Sequence, residues 1–498
     1  MRAESSIRNT LLRAVGGLGL LYAVLLIPLP EDPPDEITTT PRSTPFVWAS
    51  DSLWYDLEEA FVEARVAGCD GVRDRVEDLL VECDIALNEF SAGTRSFDDP
   101  ALAKLERDIF SVSPLIAGCP AYAEELMWRV VRMRSVLKDA SAGWDMNDQA
   151  VRSAMYRLLY GGRGALEEIL LQIPDGSLPS TVHCEEVPSR TPSTSMLDVT
   201  IHSGDILVSR GGAPTSALIA RGNDFPGNFS HVALVHVDER TNVPTIIESH
   251  IEVGVTRSSL QEYLEDKKLR VMVLRLRPDL PLLTQDPMIP HKAASIALAD
   301  AERRHIPYDF AMDFNDPEKL FCSEVASAAY DSVGVGLWMG LSTISTTGLR
   351  FWLSDFGVRK FVTQEPSDLE YDPQLRVVAE WRDLETLYKD HVDNAVTEVM
   401  LEGAERGNRL VANFWMLPVA RTMKAYSWLL NLFGEVGPIP EGMSPTSALK
   451  NNYYSTRHDE IHAALLQKEA VFQNRNGYRP PYWRLVELAR EALEATDL

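Results

Sequence analysis

The apolar residues of this 498-residue chain alternate between helical and strand spacing along its length, and those changes limit most strongly what it can fold into. From about residue 52 to residue 173 they recur every three or four positions: Leu53, Leu57, Phe61 and Ala64, then Val76, Leu79 and Leu80. Residues 101–113 and 121–137 repeat the pattern, with Pro and Gly between the runs, which predicts a helical bundle. The character then changes. Asp205-Ile-Leu-Val-Ser, His231-Val-Ala-Leu-Val-His-Val, Thr245-Ile-Ile-Glu-Ser-His-Ile and Arg270-Val-Met-Val-Leu-Arg-Leu are short β-branched runs separated by turn formers. Those runs predict strands. Helical patterns return at residues 291–304 and 322–332, and a last strand pattern covers residues 375–381. Strands first and helices after argue an α+β segment with an antiparallel sheet. Beyond residue 384 the spacing is helical again, and Pro480-Pro481 opens the last helix, where proline is tolerated.

Composition sets the class. Hydrophobic residues are 45% and charged residues 24% of the chain, ordinary globular values that exclude wholesale disorder. Lys and Arg number 48 against 73 Asp and Glu, a formal charge of −25. A surface that acidic repels phosphate backbones, so nucleic acid is not an expected partner.

The N-terminus pairs Arg2, Arg8 and Arg13 with an uncharged, mostly apolar run over residues 14–29. At ~1.5 Å per residue that run reaches about 24 Å, close to a ~30 Å hydrocarbon core once Leu11 and Leu12 join it. No small-residue cleavage site follows, so residues 1–30 read as a retained signal anchor, with the body on the extracytoplasmic side. Residues 31–46 are a Pro-rich linker, 47–185 a helical domain and 386–498 a C-terminal helical region. Of five cysteines, Cys69, Cys83, Cys119 and Cys184 crowd together while Cys322 stands alone. Two disulfides and one free thiol would suit an oxidising compartment. The alternative is five small buried hydrophobes.

Cys322 lies in Leu320-Phe-Cys-Ser-Glu-Val, at the start of a predicted helix, where free N–H groups would lower a thiol pKa. An activated thiol needs a base, and the base an orienting partner. His231 opens one strand and Glu248 sits on the next, so an antiparallel pairing would bring their side chains together. His250 shares the parity of Glu248, and His236 has the parity opposite to His231.

Taken in order, Ser203-Gly-Asp-Ile-Leu-Val, Phe229-Ser-His-Val-Ala-Leu-Val, Ile247-Glu-Ser, Ile306-Pro-Tyr-Asp-Phe and Phe321-Cys-Ser-Glu-Val resemble the YiiX/YebB-like family. These are circularly permuted papain-like cysteine hydrolases of the NlpC type. Pro366-Ser-Asp-Leu resembles the family's closing element. The resemblance covers about residues 196–385. It implies a permuted papain-like domain with an antiparallel sheet, flanked here by helical domains and the anchor. It also implies Cys322 as nucleophile, His231 as general base and acid, and Glu248 as the third member of the triad. Tyr308 and His250 would line the substrate pocket, and His250 is the alternative third member.

The implied activity is cleavage of an amide bond through a thioacyl-enzyme, as an amidase or peptidase acting on cell-wall peptides. Two alternatives stand beside it: a lipid esterase or acyltransferase using the same thiol on an acyl-lipid, and a non-catalytic envelope scaffold. No cofactor is expected. His231, Glu248 and His250 have metal-ligand chemistry, but Cys322 is better explained as a nucleophile than as a fourth ligand. Gly211-Gly212 lacks the lysine of a phosphate cradle, and His183-Cys184-Glu185-Glu186 lacks a second ligand cluster. The apolar stretches at residues 334–361 and 410–433 read as core packing, with a bilayer-facing surface or a lid as the alternative.

Overall fold

The computed structural model describes residues 16–17, 19–27, 45–46, 51–91, 95–173, 178–338, 340–433 and 435–496, the side chains of residues 51–55 apart. The helical spacing of the first half becomes α1 (Asp51–Ser91), α2 (Pro100–Ile116), α3 (Ala123–Ala140), α4 (Gln149–Tyr156) and α5 (Gly162–Leu170). Asp99 and Asp148 start α2 and α4 by accepting the N–H of Ala101 and Ala150 on their carboxylates. Phe61, Val76, Leu79 and Leu80 are buried as their spacing predicts, packed with Leu105, Ile109 and Leu126. The long α1 is bent at Gly68, whose φ of 67° is a left-handed conformation open to glycine.

Next to that bend Cys69 is bonded to Cys119. Cys83, Cys184 and Cys322 are free thiols, so the chain carries one disulfide where the cysteine count had suggested two. Cys83 is a fully buried member of the helical core, and Cys184 receives a contact from the Arg134 guanidinium at 3.2 Å.

The strands are β1 (Thr181–His183), β2 (Ser193–Met196), β3 (Val199–His202), β4 (Ile206–Gly211), β5 (His231–Val237), β6 (Pro244–His250), β7 (Gly254–Ser259), β8 (Lys268–Leu276), β9 (Ser342–Thr343), β10 (Val362–Thr363) and β11 (Leu375–Trp381). Seven form one sheet in the order β1-β11-β8-β4-β5-β6-β7, each pair antiparallel. β1 falls at the end of the stretch read as the helical domain; only Val182 of its three residues is buried, too few to leave an alternating signal.

Both faces of the sheet are covered, which is why its strands read as continuous apolar runs. Val232, Leu234, Met272 and Leu274 face the helices, whereas Ala233, Val235, Val271 and Val273 face the β2–β3 hairpin. On the helical side lie α6 (Pro214–Arg221), α7 (Ile289–Arg303) and α8 (Cys322–Asp331), with α8 packed on β5 and β6. The chain continues through α9 (Thr347–Phe356), α10 (Leu384–Glu405), α11 (Leu417–Asn431), α12 (Pro445–Asn476) and α13 (Tyr482–Thr496). Residues 334–361 pack largely as expected, with Trp338, Trp352 and Phe361 buried and Phe351 exposed. The 410–433 stretch departs from that expectation: Trp415, Trp428 and Phe433 are exposed.

Among the described residues, no helix is long and apolar enough to cross a membrane. Of the run at residues 14–29, the structure describes 16–17 and 19–27, with 19–25 helical; residues 31–44 of the Pro-rich linker lie outside the described residues.

The sheet is joined to its helical flanks by buried charge. Arg210 of β4 and Arg270 of β8 both reach Asp390 of α10, at 3.1 and 2.6 Å, and Arg270 also reaches Glu167 of α5 at 2.6 Å. All four side chains are within 3% of complete burial. Removing one partner from such a set strands the others without water. Asp390→Ala should therefore cost roughly 3–5 kcal/mol of unfolding free energy, measured by urea titration. The disulfide closes a separation of 50 residues. The chain-entropy model makes its removal cost up to about 4 kcal/mol, so Cys69→Ser/Cys119→Ser should lower the denaturation midpoint in the same assay.

Candidate active site

Three elements converge at one end of β5. The first is the start of α8. Phe321 precedes it in an extended conformation, and the Glu324 carboxyl accepts the Phe321 N–H at 2.9 Å. Ser249 Oγ on β6 donates to the Leu320 carbonyl at 2.6 Å, so the strand that carries Glu248 also holds the segment entering Cys322. The far end of α8 is fixed by Tyr330, whose hydroxyl donates to the Gly204 carbonyl at 2.5 Å.

Cys322 is thus the first residue of a helix laid against β5. Its sulfur lies 3.9 Å from the Ser230 carbonyl oxygen and within reach of the Val232 N–H, the backbone groups on either side of His231. The first N–H groups of a helix have no acceptor within it, so the start of α8 presents donors beside the thiol. Burial, however, outweighs them and pushes the Cys322 thiol up to about 12. The expectation of a thiol lowered by its helix start is therefore reversed. Desolvation at a side chain only 4% exposed costs a thiolate more than nearby N–H groups return.

His231 and Glu248 are joined: Nε2 lies 2.8 Å from Oε2. The register pairs Ala233 with Glu248, so Glu248 is diagonal to His231 rather than facing it. Continuing that register puts His250 across from His231, and the two rings are 5.3 Å apart. His250 Nε2 lies 3.2 Å from Glu248 Oε1, and Ser258 Oγ on β7 donates to the same oxygen at 2.8 Å. Burial works against the Glu248 charge, yet the hydrogen bonds from both histidines outweigh it and hold the carboxyl well below its usual range. Burial lowers His231 below its ordinary value despite Glu248, so its ring is neutral at pH 7. Burial acts the same way on His250, but there the Glu248 bond and charge prevail and raise the pKa.

The third element is residues 306–310. Gly254 opens β7 at φ 72°, and a Cβ there would lie 2.1 Å from the Ile306 carbonyl oxygen. That approach lets the Val255 N–H donate to Ile306 at 2.8 Å and fixes the chain leading to Tyr308. Burial raises the Tyr308 hydroxyl well above its ordinary value, and the neighbouring Cys322 and Glu365 add to the shift. Tyr308 stacks edge-on with Phe310 at 5.1 Å.

The structure therefore brings Cys322, His231, Glu248, His250 and Tyr308 together. His236 is elsewhere, stacked on His291 at 5.2 Å. Two residues were missed by sequence reasoning. Ser258 is the third donor to Glu248, and Glu365 is a buried carboxyl beside Cys322 and Tyr308 whose pKa burial raises well above normal. A lone acid before Pro366 was the available signal for Glu365; for Ser258 there was none, because β7 carries no apolar alternation.

Ligand atoms of His231, Glu248 and His250 all lie within 4.8 Å of one another, a set whose chemistry suits a divalent transition metal. An ion there would use the carboxylate oxygens that now accept from the two imidazoles. A cavity of about 800 Å³ lined by Phe61, Tyr156, His391, Asn394 and Tyr482 lies between α5, α10 and α13, and none of the five site residues lines it.

Residues 200–379 match the model of a family described as permuted papain-like amidase enzyme, YaeF/YiiX, C92 family. The resemblance carried by Ser203-Gly-Asp, Phe229-Ser-His and Phe321-Cys-Ser holds over that segment. A solved structure, that of metalloprotein yiiX from Escherichia coli O157:H7, is 18% identical, over 36% of this chain and 97% of that one, with a TM-score of 0.29. No curated protein matches.

A raised thiol and a lowered imidazole make a neutral resting pair. Alkylation of Cys322 by iodoacetamide should keep accelerating as pH rises past 8.5, the ordinary thiol value of about that size, with no plateau near neutrality. A plateau below pH 8, read by peptide mass spectrometry, would show a resting thiolate instead.

Proposed function

We propose, from a segment that matches the permuted papain-like amidases, that this protein is a cysteine amidase with Cys322 as nucleophile. The observation that carries the reading is the His231 ring. It is held through Nε2 by Glu248, which leaves Nδ1 for the thiol whose sulfur lies against the backbone on either side of that histidine.

The mechanism follows from the protonation states. The neutral thiol attacks a substrate carbonyl while its proton passes to the neutral His231, so no free thiolate has to be sustained in a buried site. Glu248, ionised and already bonded to Nε2, stabilises the imidazolium as it forms. The N–H groups at the start of α8 donate to the developing oxyanion. The tetrahedral adduct collapses as His231 returns the proton to the leaving amine, giving a thioester on Cys322. Water then attacks the thioester with His231 again as base, releasing the acid and restoring the thiol. Tyr308 forms a wall of the pocket, and His250 and Ser258 hold Glu248 in place.

The compartment bears on the substrate. The Cys69–Cys119 disulfide supports an oxidising, extracytoplasmic setting, and the apolar run at residues 14–29, read as an anchor, belongs to the same reading. Peptides of a cell wall are the amide substrates such a setting offers. A second reading uses the same thiol on an acyl ester, favoured by the aromatic pair Tyr308–Phe310 beside the nucleophile.

Cys322→Ala should lower turnover of peptidoglycan fragments, or of a p-nitrophenyl acyl ester, by at least about 10³-fold with the fold intact. Glu248→Gln should cost up to about 10⁴-fold, because the amide can hold His231 in the wrong tautomer. Residual activity of Cys322→Ala above a tenth of wild type would overturn the assignment. Because His231 must be neutral to act, kcat/KM should be flat above pH 6.5 and fall only as pH drops through its lowered pKa. Relative turnover of peptide and ester separates the two readings.

A further inference from the structure

The helix α11 turns its apolar side the wrong way for a protein in water. It buries Leu417, Ala420 and Ser427, and Ala420 packs in a small core with Ile439, Met443 and Phe310. Outward, Val419 and Tyr426 of α11 are exposed, as are Trp415 in the turn before it and Phe433 just past its end. Trp415 is 71% and Phe433 77% exposed, with Trp428 at 64% on the flank. Scattered exposed apolar residues are normal; a continuous apolar face is not.

The nearby cations do not relieve it. Arg421 donates to the carbonyls of Leu25 and Ile27 at 2.8 and 2.6 Å, and Lys424 donates to those of Pro440 and Glu441. With Tyr22, whose hydroxyl donates to the Trp415 carbonyl at 2.5 Å, these bonds tie helical residues 19–25 to the same surface. Leu20, Leu21, Val24 and Ile27 are exposed there too. The chain that reaches this face is thus residues 19–27, part of the uncharged run and joined to the patch on α11.

We propose that α11 and residues 19–27 together form a surface that lies on a lipid bilayer, with the helix axis in the membrane plane. The occupant follows from this chemistry. No charged side chain stands within the face of Trp415, Val419, Tyr426 and Phe433, and two of its members carry a polar tip on an apolar body, as suits the boundary between hydrocarbon and water. The face is also coupled to the candidate site, since Phe310 belongs to the core beneath α11 and stacks on Tyr308 beside Cys322. Docking would hold the pocket close to the membrane surface whichever bond the thiol cleaves, so this inference does not depend on the proposed reaction.

The test uses the full chain with vesicles of phosphatidylethanolamine and phosphatidylglycerol, part of the lipid brominated in its acyl chains. Residues 1–47 contain no tryptophan, so quenching reports on the body rather than on the N-terminal run. Wild type should be quenched, and Trp415→Phe/Trp428→Phe should lose more than half of that quenching while still floating with the vesicles. Equal quenching in the double variant, or no quenching of wild type that floats, would overturn the proposal. So would a lipid-free dimer abolished by Leu429→Ser/Phe433→Ser, which would assign the face to a second copy. Hydrolysis of a soluble ester by each variant, unchanged from wild type, reports that the fold is intact.

Discussion

Asp390 is the point on which the architecture turns. It stands on α10, outside the sheet, yet its carboxylate is shared by Arg210 of β4 and Arg270 of β8, and Arg270 continues to Glu167 on α5. Four buried side chains thus join the first helical group, the centre of the sheet and the C-terminal helices. Beside them, Arg163 of α5 reaches Glu370, Arg134 of α3 reaches Glu380 of β11, and Arg152 of α4 reaches Asp368. Apolar contacts alone would allow these layers to slide over one another at small cost. A buried ion pair has one acceptable geometry, because the desolvated groups gain nothing in any other position. The helical flanks are therefore registered against the sheet, not merely packed on it.

The site applies the same rule on a smaller scale. Glu248 is a carboxylate only 3% exposed, sustainable because His231, His250 and Ser258 all bond to it. His231, bonded to that carboxylate, has itself lost its charge to burial. Cys322 experiences the same burial without an equivalent set of donors, so it rests as a thiol. Negative charge thus rests on Glu248, while Cys322 and His231 beside it are both neutral.

Much of this was legible in the sequence. The β5, β6, β8 and β11 runs, the helix opening at Cys322, and the grouping of Cys322, His231 and Glu248 all followed from apolar spacing and motif order. The limits are physical. Parity places Glu248 and His250 on one face of β6, but whether His231 shares that face, and meets Glu248 directly or diagonally, depends on register, which the turn between β5 and β6 sets. The sign of the thiol shift depends on a competition between a helix start and desolvation, and burial depth has no local signal. Cys83 and Cys184 were grouped with Cys69 and Cys119 because they are neighbours in sequence, but pairing depends on which helix faces meet. The exposed side of α11 was hidden for a related reason: periodicity marks an apolar face without saying what it faces.

The C-terminal helices are part of the site rather than an appendage to it. Both faces of the sheet are covered, and residues 306–310 stand as a wall beside Cys322. That wall has two supports. One is the β6–β7 turn, where the absence of a Cβ at Gly254 allows Ile306 to close in. The other is the segment after α11: a Cβ on Gly442 would lie 2.4 Å from the Phe310 ring, Ile439 and Met443 pack in the same core as that ring, and His305 lies 2.6 Å from Glu441. A segment cut out at residue 385 would keep Cys322, His231 and Glu248 but lose one of the two supports of residues 306–310. The position of Tyr308 is thus set jointly by a strand turn inside the matched segment and by a loop more than fifty residues beyond its end at residue 379.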